Sequence, residues 1–118
     1  MKIEIKNLDA ADEIRPILKG RIELCTVGGL TVGRATYEPG WKWSEHVGRA
    51  MGQEWCEVEH VVLVVEGRMV VAMRDGEQVE IGRGDLCFIP PGHDSWVVGD
   101  ERYVSLHFVG TEEYARKT

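Results

Sequence analysis

The sequence predicts an all-β domain, and three observations carry that reading. Glycine and proline punctuate the chain at short intervals, from Gly28-Gly29 through Gly33, Pro39-Gly40, Gly67, Gly76 and Gly84 to Pro90-Pro91-Gly92, Gly99 and Gly110. The segments between these marks are short and rich in Val, Ile and aromatic residues, a strand composition rather than a helical one. Residues 68–74 and 77–81 flank Asp75-Gly76, a pair that tolerates the backbone of a tight hairpin turn.

The elements follow in order along the chain. Residues 1–6 alternate charged and apolar side chains without the apolar run of a signal peptide, and Ile3 and Ile5 suit a short N-terminal strand. Residues 10–18 form the one segment with helical character, interrupted by Pro16. Strands are expected near 21–27, 30–38 and 42–47. Residues 60–65 and 68–73, on either side of Glu66-Gly67, read as a second hairpin. Further strands are expected near 85–89, 95–98 and 102–109, and the polar residues 111–118 read as a frayed or weakly helical tail. With no linker or repeat, the chain is expected to be one domain over 1–118. Its barrel runs from about 30 to 109, with a strand and short helix over 1–29.

Composition narrows the function classes. With 14 basic against 20 acidic residues and a net charge of −6, the chain offers no basic patch for a phosphate backbone. Its longest apolar run, Val61 to Val65, is far too short to span a membrane. The three cysteines, Cys25, Cys56 and Cys87, are odd in number and lack CxxC spacing. They point to a reducing, cytoplasmic setting.

Four histidines are the candidates for chemistry. In a strand through 58–65, His60 shares a face with Val62 and Val64. Alone it reads as a core side chain with one hydrogen-bond partner. If a strand carrying His46 pairs with it, facing Cβ atoms lie about 5 Å apart, close enough for two imidazoles to share an ion. His93 follows Pro90-Pro91-Gly92 and precedes Asp94, a residue able to orient an imidazole. Cys56 and His60 have zinc-like spacing, but residues four apart on a continuous strand are separated by about 13 Å. Only a sharp bend within 49–57 brings them together, and a buried inert thiol is the alternative. Trp43, Ser95, Trp96 and His107 are candidates for the pocket wall.

From Pro39 to Phe108 the chain resembles the cupin superfamily of small jelly-roll barrels, also called double-stranded β-helices. Gly40 and His46 fit the opening of the first family motif, and Gly67 closes it. His60 stands where the family has a metal-binding glutamate. Gly84, Pro90 and Gly92 match the second motif. The departures are Gly48 at the second histidine position, Ser95 at the second-motif histidine, Gly99 at the asparagine, and an insertion over 49–57. Gly40–Val47, Cys56–His60 and Pro90–Trp96 resemble runs of small stand-alone bacterial cupins. That likeness implies an altered metal set of His46, His60 and His93, with Cys56 a further candidate. It implies Zn, Fe, Ni, Cu or Mn as the cofactor, and a pocket that binds or transforms a small oxygen-bearing metabolite by dioxygenase, isomerase or lyase chemistry. The alternatives are a non-catalytic binding or sensing cupin and a metal-free enzyme using histidine acid–base chemistry. The resemblance also implies a homodimer formed through edge strands or the N-terminal segment.

Overall fold

The computed structural model describes residues 1–114. Nine strands run in order as β1 (Glu13–Ile17), β2 (Gly20–Val27), β3 (Leu30–Tyr37), β4 (His60–Glu66), β5 (Arg68–Met73), β6 (Gln78–Gly82), β7 (Leu86–Ile89), β8 (His93–Val98) and β9 (Tyr103–Val109). They form a six-stranded sheet of order β1-β2-β3-β9-β4-β7 and a three-stranded sheet of order β6-β5-β8, all pairs antiparallel. The two sheets face each other as the all-β jelly roll expected from the sequence. Among the described residues no helix is long and apolar enough to cross a membrane.

Register decides which side chains reach the interior. Val62 pairs with His107 and Val64 with Ser105, while Gly33 and Ala35 oppose His107 and Ser105 from the other side. In the smaller sheet Met73 pairs with His93, Val71 with Ser95 and Met69 with Val97. Alternation along each strand therefore lines the interior with His60, Val62 and Val64 from β4, His93, Ser95 and Val97 from β8, and Tyr103, Ser105 and His107 from β9. All nine are buried. Trp41, Trp43 and Tyr37 join this core, with Tyr37 stacked on Trp41 at 3.7 Å between ring centroids.

Several local expectations are corrected. Residues 13–17 form strand β1 instead of a helix, because pairing with β2 outweighs a weak local preference. Pro16 is tolerated because β1 is an edge strand, where a missing N–H breaks no ladder. Residues 42–47 are not a strand. Ser44–Gly48 coil into a π-helical turn followed by one α-turn, Arg49–Met51, anchored where the Asp94 carboxylate accepts from Ser44 N–H at 3.0 Å and Ser44 Oγ at 2.8 Å. Residues 60–65 and 68–73 are not a hairpin, since β4 and β5 lie in different sheets. Gly67, at φ +81, turns the corner between them with its α-carbon packed against Arg102 and Tyr103 backbone.

The hairpin about Asp75-Gly76 does form between β5 and β6. Ile3 and Ile5 lie in no strand and are 90% and 84% exposed. Edge strand β7 exposes Leu86 and Phe88. Residues 111–114, expected as part of a frayed tail, form an ordered turn in which Thr111 and Tyr114 are buried. The remainder of that expected tail, 115–118, lies outside the described residues.

Candidate metal centre

Two regions distant in sequence, residues 56–60 and the start of β8, deliver the donors of the site. His60 opens β4 and His93 opens β8, both pointing inward. Cys56 sits in the irregular stretch before β4 and is fastened to the start of β8. Its N–H donates to His93 O at 2.7 Å, and its carbonyl accepts from Gly92 N–H at 2.8 Å. The chain turns between Cys56 and His60 instead of running straight, which brings Sγ to 3.6 Å from His60 Nε2. Ligand atoms of Cys56, His60 and His93 all lie within 4.8 Å of one another, and all three residues are buried.

The surroundings set each group's protonation. Burial, with His107 and His93 nearby, pushes the His60 imidazole down to about 2. Burial alone brings His107 down to about 4 and lowers His93 as well. The Cys56 thiol is pushed up to about 11, mainly by burial. All four groups are therefore neutral at pH 7. His93 Nδ1 donates to Pro90 O at 2.7 Å, which leaves its Nε2 as the nitrogen with a free lone pair. His107 Nε2 lies 3.1 Å from Ser105 Oγ, and the Nδ1 atoms of His60 and His107 are buried with no partner. The cavity between these side chains measures about 20 Å³, room for a single water or ion.

A Cupin domain model matches residues 33–109. The chain is a cupin. Its structure resembles that of a protein of unknown function from Rhizobium leguminosarum, at 23% identity and TM-score 0.64, over 92% of this chain and 97% of that one. It also resembles a cupin-like protein from Thermotoga maritima, at 18% identity and TM-score 0.57, over 83% of this chain and 72% of that one. A third likeness is to Bacillus subtilis oxalate decarboxylase, a protein with Mn(II) centres, at 21% identity and TM-score 0.54, over 81% of this chain but only 27% of that one. No curated protein gives a significant match.

Within this cupin the expected ligand set of His46, His60 and His93 does not assemble. His46 lies in the π-helical turn, where its Nδ1 sits 2.9 Å from Lys42 N and 3.1 Å from Lys42 O. It lines an outer groove with Pro16, Leu18 and Met51. Helical winding of 44–48 rotates it away from the face a strand would have presented. Cys56 takes the place beside His60 that His46 was expected to fill.

Trp43, Ser95 and His107 line the interior cavity. Trp96 does not, because the inward parity of His93, Ser95 and Val97 turns it outward, where the Lys42 ammonium lies 5.3 Å from its ring centroid. Asp94 orients no imidazole; its carboxylate serves Ser44 and the Ser95 N–H. Tyr37, Ser105 and Tyr114 line the cavity too and were missed by sequence reasoning. For Tyr114 the one available signal was an aromatic residue in an otherwise polar tail.

The buried neutral histidines make the metal-free protein acid-sensitive. Their folded-state values lie below the ordinary unfolded value near 6.5, so the unfolded chain binds more protons below that pH. Stability is then fully present above about pH 6.5 and is lost as pH falls toward 4, with a slope of up to about 1.4 kcal/mol per pH unit for each histidine. Urea midpoints of metal-free protein measured from pH 7 to pH 4.5 should fall steadily. A flat profile across that range would contradict the buried-neutral assignment.

Proposed function

We propose that this cupin binds a divalent transition metal through Cys56, His60 and His93, and holds a small oxygen-bearing molecule at the metal's remaining position. The observation that carries this reading is the convergence of three buried donors, two from residues 56–60 and one from the start of β8, on one point inside the barrel. Their chemistry fits an ion. A tetrahedral centre with bonds of about 2.3 Å to sulfur and 2.0–2.1 Å to nitrogen sets those donors about 3.6 Å apart, and Cys56 Sγ and His60 Nε2 stand at 3.6 Å. One sulfur and two imidazole nitrogens suit Zn, Fe, Ni or Cu better than Mn, which prefers oxygen donors.

When bound, the ion supplies Lewis acidity toward an oxygen atom at its open position. The chain's own residues supply the rest. The carbonyl of Pro90 fixes the tautomer and orientation of His93, and the backbone bridge between Cys56 and His93 holds the thiol in place. Val62, Met69 and Ile89 keep bulk water from the cavity. His107, backed by Ser105, is the neutral base nearest to this centre that is not itself a ligand. Free cysteines on a small acidic chain support the cytoplasmic setting.

Elemental analysis of protein purified without added metal, and again after reconstitution with Zn, Fe, Ni, Cu or Mn in turn, tests the reading. About one equivalent per chain is expected, retained in His46→Ala and lost in His60→Ala. Content well below one equivalent with every metal would overturn it. A panel of small carbonyl, thiol and phenolic compounds then separates an enzyme from a binding protein.

A further inference from the structure

Tyr114 belongs to no strand, yet it is only 4% exposed. The turn over residues 110–114 carries its ring back into the barrel. There it stacks on His107, with centroids 5.5 Å apart and planes 15° apart, and meets the His60 ring edge-on at 4.9 Å. Its hydroxyl lies 2.5 Å from the Tyr37 hydroxyl. The same ring walls the cavity that holds His60 and His93.

Outside the barrel the turn is held by hydrogen bonds to its own neighbours and to one edge strand. Tyr114 N–H donates to Gly110 O at 3.1 Å, and Thr111 Oγ1 donates to His107 O at 3.0 Å. Arg15 of edge strand β1 donates to Thr111 O at 3.1 Å and Tyr114 O at 2.7 Å. Gly110, at φ +81, passes so close to Glu59 that a Cβ would overlap its carbonyl oxygen. No sheet ladder includes residues 110–114. Beneath the ring, His60 Nδ1 and His107 Nδ1 have no hydrogen-bond partner, and His107 is 6% exposed. With Tyr114 in place, the remaining 20 Å³ admits an ion or a water but no organic molecule.

We propose that residues 110–114 are a tethered plug, and that the volume filled by the Tyr114 side chain is a binding site for a phenol-sized aromatic molecule. In the bound state the ligand's ring takes the place of the Tyr114 ring between His107 and His60, and its hydroxyl meets Tyr37. The class follows from the walls. They combine Val62, Met69 and Ile89 with a stacking face on His107 and one tyrosine hydroxyl, so a flat aromatic with one hydroxyl fits. The plug competes with the ligand, and whatever loosens the turn raises apparent affinity by increasing the open fraction. This goes beyond the metal reading and stands whether or not an ion is bound.

The test uses the full, metal-free chain, so that failure to bind metal leaves it unaffected. Hydrogen exchange in native buffer should show the Tyr114 amide exchanging at least about 100-fold faster than interior amides of β4 and β9, through a local opening insensitive to low urea. Calorimetric titration with p-cresol should show weak binding to the native chain. Arg15→Ala should bind it about 10-fold tighter. Exchange of the Tyr114 amide only with global unfolding would overturn the proposal, as would p-cresol affinity unchanged by Arg15→Ala. If Arg15→Ala does not fold, Tyr114→Ala replaces it. Tighter p-cresol binding by that variant, together with measurable binding to the native chain, supports the plug. Binding by that variant alone marks Tyr114 as a fixed core side chain and overturns it.

Discussion

Gly67→Ala should lower the stability of this cupin by about 3 kcal/mol or more, while Gly76→Ala costs about 1 kcal/mol. Both glycines have positive φ, +81 and +100, so an L side chain carries a left-handed backbone penalty of about 1–2 kcal/mol at either position. The difference lies in the space around them. A Cβ at Gly76 meets nothing within 4 Å, whereas at Gly67 it lands 2.3 Å from Arg102 O and 2.9 Å from Tyr103 Cα. Those are backbone atoms, and they cannot swing aside as a flexible side chain would. The corner between β4 and β5 must open, which displaces Tyr103 from the core beside Tyr37. Overpacking of this kind adds about 1–3 kcal/mol. Urea unfolding of the two variants checks the comparison, and equal midpoints would show that the close approach at Gly67 is relieved at no cost.

Replacing Cys56 by serine should weaken Zn(II) or Co(II) binding by about 100-fold or more. Loss of supporting groups around a ligand already costs 10- to 100-fold in affinity, and this change removes the one soft donor of the three. Serine keeps the shape and its hydroxyl stays protonated, so two imidazoles would have to hold the ion alone. The cobalt form of the native protein should show a thiolate-to-metal absorption band that Cys56→Ser lacks. Competition with a chelator of known affinity reads the first effect and the spectrum reads the second. Unchanged affinity with an unchanged spectrum would remove Cys56 from the ligand set and leave His60 and His93 with another partner.

Much of the barrel was legible in the order of residues alone. The strand at 60–65 ran as expected, because β-branched residues suit a central strand paired along both edges, with β9 and β7. Pro90-Pro91-Gly92 ended β7 and aimed His93 inward, as turn chemistry predicts. The site was half legible. His60 and His93 could be placed by parity and by the turn before β8. His46 could not, because whether 44–48 winds or extends depends on Asp94, fifty residues away, whose carboxylate anchors Ser44. The helix expected over 10–18 failed for the same kind of reason, since a weak local tendency yields to a neighbouring strand that offers a full ladder.

The sequence by itself determined that this chain folds as a cupin barrel, with turns at its glycines and prolines and two histidines facing the interior. The strands and turns follow from local backbone preference and two-residue alternation, and the barrel type from the likeness of the Gly40–Gly67 and Gly84–Gly92 motifs to the family's. Only the tertiary structure decided which third donor joins them and what closes the barrel. Cys56 approaches His60 because its backbone bridges to His93. Tyr114 enters the core because Arg15, on the edge strand, holds the carbonyls of its turn. Both are contacts between segments far apart in sequence, where no local pattern records the pairing.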